Sequence, residues 1–482
     1  MNLLLDKWIP GESGQLCLED ILSNETEYFI SCHRDDMELG TLALIICLVQ
    51  TIFCPQDTKQ LKQRISTPLT PKEYTKAIKP YLDWFDTNHL QYPFMQVRSL
   101  HKNPSSIQKL FNGLPCGSNH TWLRREIQIA RACESCLAIM IFNQASNTPS
   151  FGGGFKYPLR GGSPITTFVK VGNLRNTVWR NILTKEFCQA YFSPSVNNFP
   201  TWVSPLEHKQ EIKASEIGLL RGLFWQPIQM MVDWQRGDIT CDSCQQPTSV
   251  YGENFSKEKL EYKLAGLWPH PHSPTNTFLK KEDKSLVTVA SSFNNSAPGW
   301  TYLPNFLREA TKNDQQGYQP ALVVKHYLQT FEAALESVSI VFGGYINNQA
   351  AIIERRQETF DLRESLPQLN QFNEYLELAL EVKTLLRKKA FGLGKSLSDP
   401  SLPDSCERRY YQYTEPLIHS LVHQFTTNSP VSKIDFLAQL KNICEQIFKH
   451  SFGSKAERAE ILKSKAGLFA AISKLAEELA AS

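Results

Sequence analysis

Two cysteine pairs, Cys133-Glu-Ser-Cys136 and Cys241-Asp-Ser-Cys244, have the spacing at which two thiolates converge on one ion. Four thiolates from two such pairs complete the closed tetrahedral shell of one structural zinc ion. The second pair sits in the polar, turn-like CDSCQQPT, where no core explains a cysteine. A second reading stays open for the first pair: CESC as the start of a buried helix continuing into LAIMIF, its cysteines packed as small hydrophobes. Trp268-Pro-His270-Pro-His272 carries two histidines at i and i+2, which an extended segment projects to one face, suited to ligating a metal or supplying a general base. Hydrolysis also needs carboxylates, and only Glu261, Glu282 and Asp283 lie nearby, the last two in a Lys-rich turn. A proline-locked loop with hydrogen-bonded histidines accounts for the same letters.

Three further stretches suit nucleic acid. SFGGGFKYPLRGG, residues 150–162, has five glycines in thirteen positions, the composition of a backbone that something must approach closely. It fits neither the Walker phosphate loop nor the dinucleotide fingerprint, and a plain glycine-rich turn remains the alternative. GGYINNQAAIIERR, Gly343 to Arg356, reads as a glycine turn followed by a helical run, with Asn347 as N-cap and Gln349 projecting an amide from the first turn toward a base edge. Lys257 and Lys259 alternate as in a strand or hairpin and so share a face, although lysines also blunt strand edges routinely.

The elements that must position these residues follow from the wider pattern. A chain of 482 residues, 41% hydrophobic, can bury more than one core. With 51 Lys+Arg against 48 Asp+Glu there is no bulk basic field, so DNA binding has to rest on local patches. MNLLLDKWIP lacks the basic and apolar regions of a secretory signal, and Leu39 to Gln56 reads as a buried core helix rather than a membrane span. A cytoplasmic setting is therefore expected, in which the twelve cysteines are reduced and close pairs point to metal before disulfide. The expected fold class is α+β. A large mixed α/β N-terminal domain with long loops, residues 1–365, precedes a C-terminal four-helix bundle, residues 366–482. Helical periodicity runs through Leu369, Phe372, Leu376, Ala379, Val382 and Leu386; through Leu417, Leu421 and His423; through Ile434, Leu437, Leu440, Cys444 and Ile447 after the cap Ser432; and through Ile461, Leu468, Ile472, Leu475 and Leu479.

MNLLLDKWIP, HRDDMEL, IFNQASNTPSFGGGFK, LRGGSPITTFV, GLFWQP, GLWPHPHSP and GGYINNQAAIIERR, in this order, resemble the large subunit of type I-E CRISPR Cascade complexes, known as CasA. The resemblance runs from residue 1 into the bundle. It implies a non-enzymatic subunit of an RNA-guided antiviral complex. Such a subunit recognises the protospacer-adjacent motif (PAM) of duplex DNA from the minor groove, promotes strand separation, and recruits a helicase-nuclease. Carried over residue by residue, it implies a glycine loop at Ser150, Phe151, Gly152 and Gly153, a lysine finger at Lys259, and a wedge at Asn348 and Gln349. It further implies DNA-backbone contacts from Lys280 and Lys281, a guide-RNA handle contact from Trp122, and a zinc site at Cys133, Cys136, Cys241 and Cys244. The implied partners are double-stranded DNA, guide RNA, other Cascade subunits and the helicase-nuclease, with no membrane. Ser150 departs from an expected glycine, and TWLRREIQIARACESC departs from the family's Gly- and Asn-rich loop. Two readings of another kind stand beside this one: a metal-dependent nuclease centred on His270 and His272, and an architectural guide-RNA-binding subunit that does not read DNA.

Overall fold

The uncharged stretch forms a helix over Asp35–Ile52, hereafter the central helix, buried at nearly every position from Met37 to Gln50. Asp35, Asp36 and Glu38 in its first turn sit at the positive end of the helix dipole. Beside it packs the helix Glu134–Ser146, buried from Ser135 to Ser146, apolar from Leu137 to Phe142 and carrying the buried polar residues Asn143 and Gln144 in its last turn. These are features of a computed structural model that describes residues 1–98, 100, 104–114, 128–194, 197–280, 282–293, 297–311, 316–331, 338–362, 369–426, 431–455 and 457–481. None of its helices is long and apolar enough to cross a membrane.

Contacts divide the chain into two units. The first comprises Met1–Phe293, Glu309–Phe331 and Val338–Thr359, and the second Asn294–Arg308 and Phe360–Ser482, apart from a short linking segment. In the first unit, Ile228–Thr240 and Pro247–Lys259 form a long antiparallel hairpin, and the short strands Ser105–Ser106 and Ala132–Cys133 pair with its second strand. A three-stranded sheet has Ser339–Asn348 at its centre, flanked by Thr166–Lys170 and Ala351–Asp361. Thr275–Leu279 and Leu286–Ala290 make a hairpin in a separate four-stranded sheet. Two sequence motifs meet where GLFWQP touches GLWPHPHSP: a Cβ on Gly222 would lie 2.1 Å from the Trp268 ring, so only glycine admits the buried indole.

The second unit contains four helices, Leu369–Leu397, Leu402–Thr426, Lys433–Phe452 and Ala459–Ala481, closed into a ring in which the first packs on the second and fourth and the third packs on the same two. The predicted four-helix bundle is thus present. Ser432 caps the third helix by accepting from the Asp435 N–H. The seam of the second helix differs from the reading above. It runs through Cys406, Tyr410, Ile418, Leu421 and Phe425, while Leu417 is half-buried and His423 exposed. Ile434 also faces solvent. The short helix Leu303–Leu307, from well upstream in the chain, packs on the first bundle helix.

Candidate nucleic-acid interface and metal centre

The helix Glu134–Ser146 carries a different feature at each end. Cys133 is its N-cap and Cys136 lies in its first turn, and the strand Ala132–Cys133 fastens both to the long hairpin. The turn of that hairpin holds Cys241 and Cys244, with Asp242 accepting from the Ala130 and Arg131 N–H groups at 2.9 and 2.8 Å. Both early readings of CESC hold together, because the cysteines begin a buried helix and also converge with the second pair. The four sulfurs lie within 4.8 Å of one another, with edges of 3.7 Å (Cys133–Cys244) and 4.0 Å (Cys136–Cys241). A tetrahedron with metal–sulfur bonds of about 2.3 Å has edges of about 3.8 Å, so one tetrahedral ion fits. Hydrogen bonds from Cys133 and Cys136 hold the Cys241 and Cys244 thiols below their ordinary range; bonding to its three neighbours, with burial, pushes Cys136 well above it. A bound divalent cation would take the place of those shared protons.

Beyond the other end of the helix runs the glycine loop. Gly152, Gly153 and Gly154 have φ of +74°, +54° and +87°, a region that side chains disfavour. Ser150 is buried, and its hydroxyl accepts from the Gly152 N–H at 3.3 Å, so this departure from glycine ties the loop to itself. Phe151 packs edge-on to Phe155 and against Phe255.

The two lysines part company here. Lys257 donates to Ser105 Oγ at 2.7 Å and lies 5.2 Å from both the Phe151 and Phe255 rings; burial, with Lys109 nearby, pulls its pKa down. Lys259, at the end of the same strand, is exposed, with its ammonium 5.6 Å from the Phe155 ring and 3.3 Å from where a Cβ on Gly154 would stand.

GGYINNQAAIIERR is a β-hairpin, not a glycine turn followed by a helix. The run Ala351-Ile352-Ile353 belongs to the strand Ala351–Asp361, and Gln349-Ala350 form a two-residue turn. Asn347 therefore caps no helix; its amide donates to the Gln349 carbonyl. Gln349 has φ +54°, and in two-residue hairpin loops a positive φ at the first turn position favours glycine. Asn348 and Gln349 are exposed at this tip, and a Cβ on Gly152 would lie 3.0 Å from Ala350 Cβ, so the turn abuts the glycine loop. Between them opens a cleft of about 590 Å³ lined by Gln144, Phe111, Phe151 and Ile352.

The remaining candidates lie apart. Lys280 is exposed in the loop of the hairpin Thr275–Leu279/Leu286–Ala290, in a different sheet from Lys259 and Gln349; Lys281 and Trp122 lie outside the described residues. His270 and His272 are buried, and the His272 N–H donates to His270 Nδ1 at 3.1 Å. Desolvation, with the charge of Arg160, holds both well below the ordinary histidine range, so they are neutral. Among the described residues the cysteines form the one group of three or more metal-type ligands.

A sequence profile of the CRISPR-associated protein Cse1 family matches residues 2–448. The chain belongs to this family. Its fold is similar to that of Cse1 from Thermobifida fusca, with a TM-score of 0.74 and 16% identity over 99% of this chain and 98% of that one. It is also similar to CasA (Cse1) of Thermus thermophilus, with a TM-score of 0.68 and 17% identity over 99% of each chain. A chain from a structure of a CRISPR RNA-guided surveillance complex matches at TM-score 0.72 and 14% identity, over 98% of this chain and 99% of that one. Within this fold the residue that sequence reasoning passed over is Phe155, which with Lys257 holds the glycine loop against the long hairpin. The alternation of Lys257 with Lys259 was the available signal, but it could not say which lysine packs on the loop's aromatic rings and which stays exposed.

Proposed function

We propose that this chain is the large, non-catalytic subunit of a cytoplasmic RNA-guided surveillance complex, and that it reads the PAM of duplex DNA from the minor groove and starts strand separation. The observation that carries the reading is convergence. The glycine loop, the Lys259 ammonium and the strained Gln349 turn come from three separate elements and meet at one exposed face. Glycines let main-chain groups enter a groove only about 6 Å wide, and a long lysine reaches the acceptors on its floor. The pattern there is largely A·T against G·C, so tolerance of several motifs follows. Asn348 and Gln349 form a wedge that offsets part of the unstacking cost, a few kcal/mol per step, at the first base pair beyond the motif, where guide RNA begins to pair. Lys280 and Lys281 anchor the DNA backbone, and Trp122 stacks on the guide-RNA handle. The cysteine centre holds one zinc ion and is structural, because four thiolates leave no open position for a substrate. Target-bound complex then recruits the helicase-nuclease. The buried, neutral His-Pro-His loop gives the nuclease reading no support.

The test is reconstitution with and without this subunit, measuring affinity for guide-matched duplexes that carry every three-base motif. Ranking of motifs only when the subunit is present supports the proposal. Equal ranking with and without it leaves the subunit an architectural one.

A further inference from the structure

Below the exposed face runs an unbroken line of buried polar side chains. Arg160, from the LRGG segment, is 3% exposed and has no carboxylate among its bonded partners. Its Nε donates to the Ser146 carbonyl at 2.8 Å, Nη1 to Ser273 Oγ at 2.9 Å and Nη2 to Thr166 Oγ1 at 2.7 Å; Nη2 also donates to Asn147 Oδ1. The guanidinium thus sits at the negative end of the helix Glu134–Ser146, which offsets part of the cost of burying it. The line continues from Asn147 Nδ2 to Asn143 Oδ1 (2.7 Å), from Asn143 Nδ2 to Tyr345 Oη (2.6 Å) and from Tyr345 O–H to Asp36 Oδ2 (3.2 Å). Asp36 receives Arg34 through two bonds of 3.0 and 2.9 Å, and Arg355 lies 3.7 Å from Asp36 and 3.2 Å from Asp35.

Two members of this line stand next to the exposed elements. Asn147 stands three residues before Ser150, at the root of the glycine loop, whose Pro149 carbonyl is further held by Gln144 Nε2 at 3.2 Å. Tyr345 stands four residues before Gln349 on one strand of the wedge hairpin, and Arg355 five residues after Ala350 on the other. Asn143, Asn147, Thr166, Tyr345 and Asp36 are each 7% exposed or less. Apolar packing tolerates sliding by fractions of an ångström, whereas a satisfied buried hydrogen-bond network admits one arrangement. A reader of a narrow groove depends on such placement, because each donor must come within hydrogen-bond reach of a base edge.

We propose that the buried line Arg160–Asn147–Asn143–Tyr345–Asp36 fixes the spacing between the glycine loop and the wedge turn, and so determines how sharply one motif is told from another. Its residues touch no DNA; they are positioning residues. This inference rests on the motif-reading function proposed above.

Tyr345→Phe removes one oxygen from the middle of the line and keeps the ring, and Arg160→Lys keeps the charge but loses the fork. Each is assembled into the complete complex beside wild type and Lys259→Ala. Affinity is measured for guide-matched duplexes across the motif panel and for an unmatched duplex, with the thermal midpoint of each variant. The expected result is that Tyr345→Phe compresses the ratio between best and worst motifs by roughly tenfold while affinity for unmatched duplex stays within about twofold. Arg160→Lys is expected to change the ratio in the same direction, which keeps the test open should either variant fail to fold. If Lys259→Ala flattens the ranking but both line variants keep the wild-type ratio, the inference is wrong and the motif-reading function stands. A uniform loss of affinity for every duplex, tracking a fall in thermal midpoint, also overturns it, since a purely structural role does that. If Lys259→Ala itself leaves the ranking intact, the underlying function is what fails.

Discussion

One helix, Glu134–Ser146, serves two regions built on opposite rules. At its N-terminal end the cysteine centre is closed: three of the four thiols are buried, and every sulfur faces the others. At its C-terminal end Gly153, Gly154, Lys259 and the Gln349 turn are exposed, and the three loop glycines and Gln349 have the positive φ that side chains disfavour. Stability is concentrated where nothing enters, and strain is kept where a partner is to fit. The loop hangs from an element whose other end is fastened to the long hairpin by strand pairing and by the Asp242 hydrogen bonds.

The contrast can be broken most severely at the closed end. Structural thiolate sites bind zinc with apparent free energies on the order of 10 kcal/mol, and that energy is folding energy. Cys241→Ser should therefore lose the ion and a large share of the stability, read as metal content near zero per chain and a collapsed or sharply lowered thermal midpoint. Retention of one ion per chain with an unchanged midpoint would show that the centre is dispensable.

The next largest effect is of acid on the buried histidines. Burial lowers the pKa of His326 to about 4 from an ordinary 6.5. The unfolded chain then binds more protons than the folded one, so this contribution is complete above about pH 6.5 and is lost as pH falls toward 4. At pH 5 the loss for this residue is about 2 kcal/mol. His270 and His272, shifted in the same direction, add to it. Denaturant midpoints measured from pH 8 to pH 5 should fall for wild type, and His326→Phe should flatten part of that slope. An unchanged slope would mean that His326 is solvated.

The smallest effects separate strain from function at the open face. Gln349→Gly relieves the positive φ and should leave stability unchanged or raise it by up to about 1 kcal/mol. The same variant should slow opening of the first base pair beyond the motif, followed with a fluorescent base analogue. Faster or equal opening would assign the turn a role other than wedging. Lys257→Met should loosen the glycine loop while leaving a reader in place, since that ammonium already lies against Phe151, Phe155 and Phe255.

What was legible in the sequence follows the same division. Cysteine spacing and helical periodicity are local, so the cysteine cluster and the bundle could be read directly. In the second bundle helix Leu421 was placed in the seam correctly, but Leu417 was taken for Ile418, because the two are adjacent apolar residues and only packing decides between them, and His423 faces outward. The hairpin of Ser339–Asn348 and Ala351–Asp361 was taken for a turn and helix because Ala351-Ile352-Ile353 suits either period and the strained φ of Gln349 has no signature in letters. Lys257 and Lys259 carry the same pattern and differ only in where the strand ends. The buried line from Arg160 to Asp36 was invisible, since its members are scattered from position 36 to position 345 and only the fold brings them together.

The most direct test of the motif reader is a comparison of Lys259→Ala with Lys257→Ala in the assembled complex, measuring affinity across all three-base motifs on a guide-matched duplex. Lys259→Ala is expected to flatten a ranking worth about 1–3 kcal/mol per favoured position, while Lys257→Ala, which loosens the glycine loop but leaves the lysine that enters the groove, lowers stability and compresses the ranking only in part. A ranking untouched by Lys259→Ala, or lost equally in both variants, would contradict it.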